Sequence, residues 1–395
     1  MTFEESLAEE LTQLQAQGRF RAVRPVGMID GRKVNFEGVS LLNFSSNDYL
    51  GVAGNIRLRE EFFDYLAQHS GEVDLLSAAS ARLLSGNFSG YAALESALEK
   101  IYPGRRVLAV NSGYHANIGV LPALSGSKDL ILADKLNHAS MIDGLQLCSG
   151  EFRRYRHLDY ADLEKRLAQA ADSGEFKNIF IVSESIFSMD GDTVDLRRLV
   201  ELKKRYNAIL VIDEAHGCGV RGAHGGGVAE EQSVINEVDV IVGTLGKAFG
   251  SYGAYIVSSG IIRNYLINKM RSFIFTTALP PIITYWSAFT VEKVSAMSAE
   301  RTHLQQLGDI LRQAAAAAQL KYLGDSQIVP VVIGESQAAM EFSSQLKDYG
   351  VLAMAARPPT VPAGSARIRF SLSAALTEAD VKFTGELLKH YSGKQ

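Results

Sequence analysis

Cysteine is almost absent from this 395-residue chain, which contains only Cys148 and Cys218. Two cysteines cannot form the disulfide network of a small secreted protein, and these two are not spaced as zinc ligands. The sequence also lacks an uninterrupted apolar segment of the roughly 20 residues that a membrane-spanning helix requires. Its first residues, Met1-Thr-Phe-Glu-Glu-Ser, are acidic and lack the apolar core of a signal peptide. We therefore expect a cytoplasmic protein with no membrane partner and no bound metal.

An excess of positive charge is missing as well. The 40 lysines and arginines are outnumbered by 44 aspartates and glutamates, which gives a net charge of −4. Such a chain has no overall attraction to a polyanion, so we expect no nucleic-acid binding. Hydrophobic residues make up 47% of the chain and charged residues 21%. These proportions are typical of a globular protein, and the length allows two hydrophobic cores.

The sequence contains an alternation of short apolar segments with amphipathic ones. The apolar segments are rich in Val and Ile and are predicted strands, at 106–110, 129–133, 178–183, 208–213, 238–242 and 253–258. Predicted helices separate most of them, notably at 115–124, 139–149, 160–172 and 195–206. This alternation is typical of a mostly parallel sheet with helices on both faces, in which functional groups collect at the carboxyl ends of the strands.

The chain is predicted to divide at Pro280-Pro281, where a long helical stretch begins. The pattern after that stretch indicates a smaller α+β unit with strands at 327–333, 351–355 and 366–371. We therefore predict an N-terminal arm (1–45), a large α/β domain (46–280) and a small C-terminal domain (281–395).

The segment Val238–Gly250 contains the most informative lysine. Its predicted strand is followed by a turn that contains Thr244, Gly246 and Lys247. A lysine at the mouth of a buried strand is a candidate for a desolvated amine, whose lowered pKa suits Schiff-base chemistry. An ordinary surface lysine is the alternative. A nucleotide-binding phosphate loop is excluded, because Ile241 and Ala248 stand where that loop needs Gly and Ser or Thr.

Asp213 ends the predicted strand 208–213 and is followed by Glu214-Ala-His216. A carboxylate at the end of a buried strand needs a cationic or hydrogen-bonding partner, which either a cofactor or a structural ion pair could supply. The following run, Gly217-Cys-Gly-Val-Arg-Gly222, formally matches a dinucleotide-binding fingerprint. That fingerprint must open a helix, whereas Gly225-Gly-Gly227 follows here, so we predict a glycine-rich loop.

Four other positions indicate a functional site only when they are considered together. Asn111-Ser112-Gly113-Tyr114 follows a predicted strand and precedes a helix, which suits phosphate binding or an ordinary glycine turn. His138 starts a helix, Ser188 lies in a loop, and Arg357 precedes a proline-rich loop where it could bind a carboxylate or remain solvated. With Lys247 and Asp213, they form the set of groups that holds pyridoxal phosphate.

These motifs closely resemble the α-oxoamine synthases, which are pyridoxal-phosphate enzymes of the aspartate-aminotransferase fold (fold type I). The resemblance extends from Asn43-Phe-Ser-Ser-Asn-Asp-Tyr-Leu-Gly51 to Arg367-Ile-Arg369. It implies an acyltransferase that joins an amino acid to an acyl thioester and releases the amino acid carboxylate as carbon dioxide. It further implies a homodimer whose two active sites are shared between subunits.

The resemblance also assigns roles to individual residues. Lys247 would form the Schiff base and remove the α-proton, Asp213 would pair with the ring nitrogen, and His216 would bind the phenolic oxygen. His138 would stack on the ring beside Ser188. The phosphate would be held by Ser112, Gly113, Tyr114 and Thr244, together with Thr276 and Thr277 of a neighbouring subunit. The substrate would contact Arg21, Asn47, Arg357 and Thr360.

Two segments bear on the substrate. Arg82-Leu-Leu-Ser-Gly-Asn87 and Arg357-Pro-Pro-Thr-Val-Pro-Ala-Gly364 look most like the branch that joins L-alanine to a pimeloyl thioester carried by coenzyme A or acyl carrier protein. That branch usually has glycines where this chain has Ser77-Ala-Ala-Ser-Ala81, and the added methyl groups could narrow an acyl channel. The alternatives are the branch that uses glycine and an acetyl thioester, a branch with another acyl donor, and a non-catalytic cofactor-binding module.

Overall fold

The computed structural model describes residues 1–17, 19–68 and 72–392. Its strands, in chain order, are β1 (Val26–Met28), β2 (Lys33–Phe36), β3 (Val39–Asn43), β4 (Arg106–Val110), β5 (Leu130–Asp134), β6 (Glu151–Tyr155), β7 (Ile179–Glu184), β8 (Ile209–Asp213), β9 (Val240–Thr244), β10 (Ala254–Ser258), β11 (Ile328–Gly334), β12 (Val351–Leu352), β13 (Met354–Ala356) and β14 (Ala366–Ser371).

Helices alternate with these strands through the middle of the chain, as the sequence predicts. They are α1 (Phe3–Ala16), α2 (Ile56–Gln68), α3 (Ser89–Ile101), α4 (Gly113–Leu124), α5 (Ala139–Gln146), α6 (Tyr160–Ser173), α7 (Leu196–Tyr206), α8 (Val228–Glu231), α9 (Gly260–Lys269), α10 (Arg271–Ile274), α11 (Pro281–Ser295), α12 (Ser298–Ala317), α13 (Ser336–Asp348) and α14 (Glu378–Ser392).

The central sheet has seven strands in the order β4-β10-β9-β8-β7-β5-β6. Strand β10 runs antiparallel to β4 and β9, and the other pairs are parallel, so the prediction of a mostly parallel sheet is confirmed. Strand β6 is not predicted from the sequence, because Glu151, Arg153 and Arg154 interrupt its apolar pattern. Its charged residues are tolerated because β6 forms an exposed edge of the sheet.

Both faces of the central sheet are buried, which explains why its strands are continuously apolar. Leu132, Ile181 and Ile212 point to one face and pack in the larger hydrophobic core. Alternate residues of the same strands, such as Ile131 and Val182, pack on the opposite face in a second core. The strand ends are thereby fixed along one edge, where the chain can place polar side chains.

The C-terminal part of the chain contains a three-stranded sheet in the order β11-β14-β13. The single strand predicted at 351–355 is wrong in detail, because it is two short strands that belong to different sheets. Val351 pairs with Leu42 of β3, whereas Met354 pairs with Arg369 of β14. The N-terminal strands β1 to β3 are therefore joined to the C-terminal part by backbone hydrogen bonds, and the domain boundaries at 45 and 280 stay predictions.

The segment after Asp213 is a loop, as its glycines predict. Residues 215–225 form turns and bends before the one-turn helix α8, and Gly219, Gly222, Gly225 and Gly227 have positive φ angles. Within the described part of the chain, we find no helix that is both long and apolar enough to cross a membrane.

Candidate active site

A cavity of about 200 Å³ lies at the carboxyl edge of the central sheet. The ends of β7, β8 and β9 and the beginnings of α4 and α5 surround it. Its lining combines acids, two histidines, a lysine and small residues: Gly113, Tyr114, Asn117, His138, Ser140, Glu184, Asp213, Ala215, His216, Thr244 and Lys247. Seven of the residues predicted from the sequence therefore meet in one cavity.

Asp213 is the last residue of β8 and is buried. Its Oδ2 atom accepts a hydrogen bond of 2.7 Å from Asn117 Nδ2, and its Oδ1 atom accepts one of 2.8 Å from the Ala215 backbone. The same Asn117 amide donates to the Ser140 hydroxyl at 2.9 Å. Helix α4 therefore fixes the orientation of the carboxylate that the strand delivers.

Lys247 follows β9 and extends into the cavity from its turn. Its Nζ atom lies 2.8 Å from Nε2 of His216, and Nδ1 of His216 lies 2.5 Å from the Tyr49 hydroxyl. Burial lowers the pKa of Lys247, although the charges of Asp213 and Glu184 oppose this shift. Burial and the nearby Lys247 charge also hold the pKa of His216 well below its usual range. The site therefore favours a neutral imidazole beside an amine that loses its proton readily.

His138 is the N-cap residue of α5 and faces the same cavity. Its Nδ1 atom accepts a hydrogen bond of 3.2 Å from the Ser140 backbone and lies 2.8 Å from the Ser140 hydroxyl. Partial enclosure lowers the pKa of the ring, and the charge of Asp213 partly offsets this shift. The ring is thus held neutral in a fixed orientation, as a flat wall of the cavity requires.

The beginning of α4 forms the opposite wall. Ser112 is its N-cap, and the Ser112 hydroxyl accepts a 3.2 Å hydrogen bond from the His115 backbone. A methyl group added at Gly113 would enter open space and reach only the Cβ atom of Thr244, at 4.0 Å. Tyr114 donates a hydrogen bond to Asp143. The N-terminus of α4 has open space at Gly113, its first residue, and can therefore accommodate an anion such as a phosphate.

Glu184 is an acid of this cavity that the sequence analysis missed. It ends β7 directly beside Asp213 and is 3% exposed. Its Oε1 atom has no hydrogen-bond partner among the described residues. Burial, with the Asp213 charge, holds the pKa of Glu184 well above its usual range. The sequence pattern could have predicted this acid, since Glu184 ends an apolar strand just as Asp213 does.

A second cavity, of about 260 Å³, contains most of the predicted substrate residues. Arg21, Arg357 and Thr360 line it, together with Arg369 of β14. The guanidinium of Arg357 lies 2.9 Å from the sulfur of Met340. Arginines from the N-terminal arm and from the C-terminal sheet therefore surround a single site.

Arg369 is the second functional candidate that the sequence analysis missed. It donates hydrogen bonds to the Ser188 carbonyl oxygen at 2.6 Å and to Asn47 Oδ1 at 3.4 Å. Its charge contributes to the lowered pKa values of His216 and Lys247. Asn47 and Ser188 do not line the 200 Å³ cavity, and Arg369, which contacts both, lines the 260 Å³ cavity. Arg367 and Arg369 both interrupt the apolar strand Ala366–Ser371, so the sequence pattern alone does not single out Arg369.

Thr276 and Thr277 lie apart from the cavity lining. Asn111 donates hydrogen bonds to the Thr276 hydroxyl at 3.3 Å and to the Thr277 carbonyl oxygen at 2.7 Å. The Thr277 side chain is exposed and follows Phe275, which is 71% exposed. This segment therefore presents polar and aromatic groups outward from the subunit.

The residues of the 200 Å³ cavity fit pyridoxal phosphate. They provide an amine of lowered pKa, a carboxylate fixed by an amide, a neutral flat ring and an anion-binding helix N-terminus with space above Gly113. Glu184 adds a buried polar atom that has no hydrogen-bond partner in the described part of the chain. Within the residues that the structure describes, no group of three or more His, Cys, Asp or Glu side chains could hold a metal ion.

Comparison with known proteins places the chain in a family. Residues 39–384 match the family described as aminotransferase class I and II, and the chain belongs to it. The 8-amino-7-oxononanoate synthase of Chlorobaculum parvum is 49% identical over 380 residues, which cover 95% of this chain and 96% of that protein.

Two solved structures share the whole fold. The serine palmitoyltransferase of Sphingomonas wittichii has a TM-score of 0.88 and 28% identity, with 99% of this chain and 97% of that chain covered. A second serine palmitoyltransferase structure, which contains pyridoxal phosphate, has a TM-score of 0.87 and 26% identity over 98% of this chain and 97% of that one. The predicted family and fold type are thereby confirmed.

Proposed function

We propose that the protein is a pyridoxal-phosphate-dependent acyltransferase. It joins L-alanine to a pimeloyl thioester, releases carbon dioxide, and forms 8-amino-7-oxononanoate, an intermediate of biotin synthesis. The observation that carries this proposal is the single cavity in which Lys247, Asp213, His216 and His138 meet. The near full-length similarity to an 8-amino-7-oxononanoate synthase supports the choice of substrates.

Pyridoxal phosphate, when bound, supplies an aldehyde that a lysine amine can capture and a ring that withdraws electrons from the substrate α-carbon. Lys247 would hold the aldehyde carbon, and Asp213 would keep a proton on the ring nitrogen. His216 would bind the phenolic oxygen, beside the loop that contains Ser188, and His138 would cover one ring face. Ser112, Gly113, Tyr114 and Thr244 would bind the phosphate.

Lys247 would also act as the base. Burial lowers the pKa of this amine, so that its neutral form is available to take the α-proton of alanine. Asn47 and Arg357 would orient the alanine carboxylate, and Arg369 joins them in this role because it contacts Asn47 and lies close enough to Lys247 to affect its pKa. A guanidinium is suited to hold a carboxylate in two hydrogen bonds.

The acyl substrate would enter through the 260 Å³ cavity. Arg21, Arg357 and Thr360 line it, and the arginines of this lining suit the phosphate groups of a coenzyme A or acyl-carrier-protein thioester. The methyl groups of Ala78 and Ala79, in the segment Ser77–Ala81, would limit the length of the acyl chain. We place the reaction in the cytoplasm.

The active enzyme would be a homodimer with shared sites. Thr276 and Thr277 would contact the phosphate in the second subunit, which their outward position next to the exposed Phe275 permits. Sedimentation analysis should then give a dimer, and inactive Lys247→Ala protein mixed with Thr277→Ala protein should recover part of the activity in hybrid dimers.

Carbon-13 in the carboxylate of alanine tests the reaction itself. With a pimeloyl thioester, the label should appear in carbon dioxide, and mass spectrometry should detect unlabelled 8-amino-7-oxononanoate. Label retained in an acylated amino acid would contradict the proposed decarboxylation. Product from glycine and acetyl thioester alone would instead favour the glycine branch, and a protein that binds the cofactor without any turnover would be a binding module.

A further inference from the structure

A cluster of charged side chains lies beside the active-site cavity and is not part of its lining. His157 follows β6 by two residues, so it lies at the same carboxyl edge of the sheet. Its Nδ1 atom lies 2.9 Å from Oδ1 of Asp134, and its Nε2 atom lies 3.2 Å from Oδ2 of Asp192. Only a protonated imidazole can donate from both ring nitrogens, so His157 bridges two carboxylates as a cation.

The first carboxylate leads to His138. Asp134 ends β5 and is completely buried. Its Oδ1 atom also accepts a 2.8 Å hydrogen bond from the Leu136 backbone, and its Oδ2 atom accepts one of 3.0 Å from the Leu158 backbone. Asp134 therefore fixes the turn of residues 134–138, which we name the His138 turn, against the segment that contains His157.

The second carboxylate leads to Ser188. Asp192 belongs to the Ser188 loop (residues 186–193), in which the Phe187 backbone N–H donates to the Asp192 carbonyl oxygen at 3.1 Å. The Phe187 ring meets the His157 ring edge-on, with a centroid distance of 4.5 Å. His157 therefore contacts the Ser188 loop through both a charge and an aromatic ring.

The opposite side of the Ser188 loop is held by β14. Arg369 donates to the Ser188 carbonyl oxygen at 2.6 Å, and Arg367 pairs with Asp190 at 2.6 Å. The pairing of β5 with β7 and the hydrogen bond from Asn137 Nδ2 to the Val182 carbonyl oxygen join the two segments at their bases. Because β14 fixes one side of the loop, its separation from the His138 turn beyond these bases depends on what holds the other side. The bridge from Asp134 through His157 to Asp192 occupies that position.

We propose that His157 is a positioning residue that holds the His138 turn and the Ser188 loop at a fixed distance from one another. This inference rests on the proposed function, in which His138 and Ser188 lie around the cofactor ring. His157 would touch neither cofactor nor substrate. It would act through Asp134 and Asp192, and losing it would let the two segments separate and weaken cofactor binding.

The charge of His157 gives the proposal a distinctive pH dependence. Burial opposes protonation of the ring, but the hydrogen bonds to Asp134 and Asp192 outweigh it and raise the pKa of His157 to about 9. Within the described ranges, the charged groups that pair with it are these two aspartates. The Tyr155 and Tyr160 phenols lie near Asp134, and burial raises their pKa values above 10, so they stay neutral over this range.

The test measures the dissociation constant of pyridoxal phosphate by equilibrium dialysis of the full chain, without substrate. At pH 7.5, His157→Gln should weaken binding by about tenfold, the lower end of what a hydrogen bond to a charged group contributes. His224→Gln is the matched control, because His224 also contacts a carboxylate, that of Glu230 in α8, but is exposed. Equal affinities for the wild type and His157→Gln would overturn the inference.

A pH series separates positioning from general loss of structure. Wild-type affinity should fall as the pH rises through about 9, where His157 loses its proton. Asp192→Asn removes one of the two carboxylates, so it should move this fall to lower pH, and it keeps the proposal testable if His157→Gln does not fold. Titration of Lys247 and of the cofactor is common to both proteins and cancels in the comparison. The same midpoint in the wild type and Asp192→Asn would leave His157 a merely structural residue and overturn the proposal.

The outcomes also distinguish this inference from the proposed function. A wild-type protein that does not bind pyridoxal phosphate would contradict both. Tight wild-type binding that neither substitution alters would contradict the positioning role alone and leave the proposed reaction unaffected.

Discussion

The Nζ atom of Lys247 lies 2.8 Å from Nε2 of His216, whose other ring nitrogen contacts the hydroxyl of Tyr49. The three side chains come from the turn after β9, from the loop after β8 and from the segment after β3. A buried tyrosine thus orients the imidazole, and the imidazole orients the amine. We expect the amine to be the group on which the activity depends.

Replacement of Lys247 by Ala should abolish turnover, with a loss of at least about a thousandfold, because the site loses both its covalent anchor and its base. Thiol release from the acyl thioester measures the rate. Lys269→Ala is the control, since Lys269 is exposed at the end of α9. Substantial activity in the Lys247 variant would remove this residue from the mechanism.

Replacement of Asn117 by Ala should lower kcat by about ten- to a hundredfold, the contribution of a hydrogen bond to a charged group. The variant leaves Asp213 without the 2.7 Å donor to its Oδ2 atom. Steady-state kinetics check the effect, with Asn268→Ala on the surface of α9 as the control. If both variants behaved like the wild type, Asn117 would not orient the carboxylate.

Gly113→Ala should weaken pyridoxal-phosphate binding by about tenfold or more while the thermal midpoint of the cofactor-free protein stays unchanged. The added methyl group meets nothing closer than 4.0 Å in the protein, but it enters the space proposed for the phosphate. Gly260→Ala is a matched control, because Gly260 also follows an N-cap serine as the first residue of a helix and has room for a methyl group. Unaltered cofactor binding in Gly113→Ala would place the phosphate elsewhere.

Glu214 should make stability depend on pH. It is completely buried and accepts hydrogen bonds from the Ser185 hydroxyl and from the Val228 and Ala229 backbones. Burial outweighs these hydrogen bonds and raises its pKa from 4.5 to about 7. The folded state therefore keeps a proton that the unfolded state has lost. The stabilisation from this proton is complete below pH 4.5 and is lost as the pH rises to about 7. The free energy of unfolding should fall by about 3 kcal/mol over this range.

Thermal unfolding at pH 5 and pH 7.5 checks this expectation. The Gln side chain of Glu214→Gln is neutral at both pH values. Its thermal midpoint should therefore fall less between pH 5 and pH 7.5 than the wild-type midpoint does. Buried histidines such as His216 have lowered pKa values and act in the opposite direction, but they contribute equally to both proteins. Glu386→Gln, on the exposed surface of α14, should follow the wild type. A wild-type profile in Glu214→Gln would contradict the raised pKa.

The sequence was informative where local pattern determines structure. The apolar run that ends at Asp213 and the run before Lys247 predict buried strands with polar ends, and parallel pairing then brings those ends together. Strand β6 was not predicted, because a strand at the exposed edge of a sheet does not require an apolar sequence pattern. The roles of Arg369 and His157 could not be predicted either, since they depend on pairing between segments distant in the sequence, Arg369 with Ser188 and His157 with Asp192.

The most direct test of the proposed function compares thiol release for L-alanine with pimeloyl thioester and for glycine with acetyl thioester, under identical conditions. The proposed function predicts release with the alanine and pimeloyl pair and little with the other. Release only from glycine and acetyl thioester would contradict the substrate assignment.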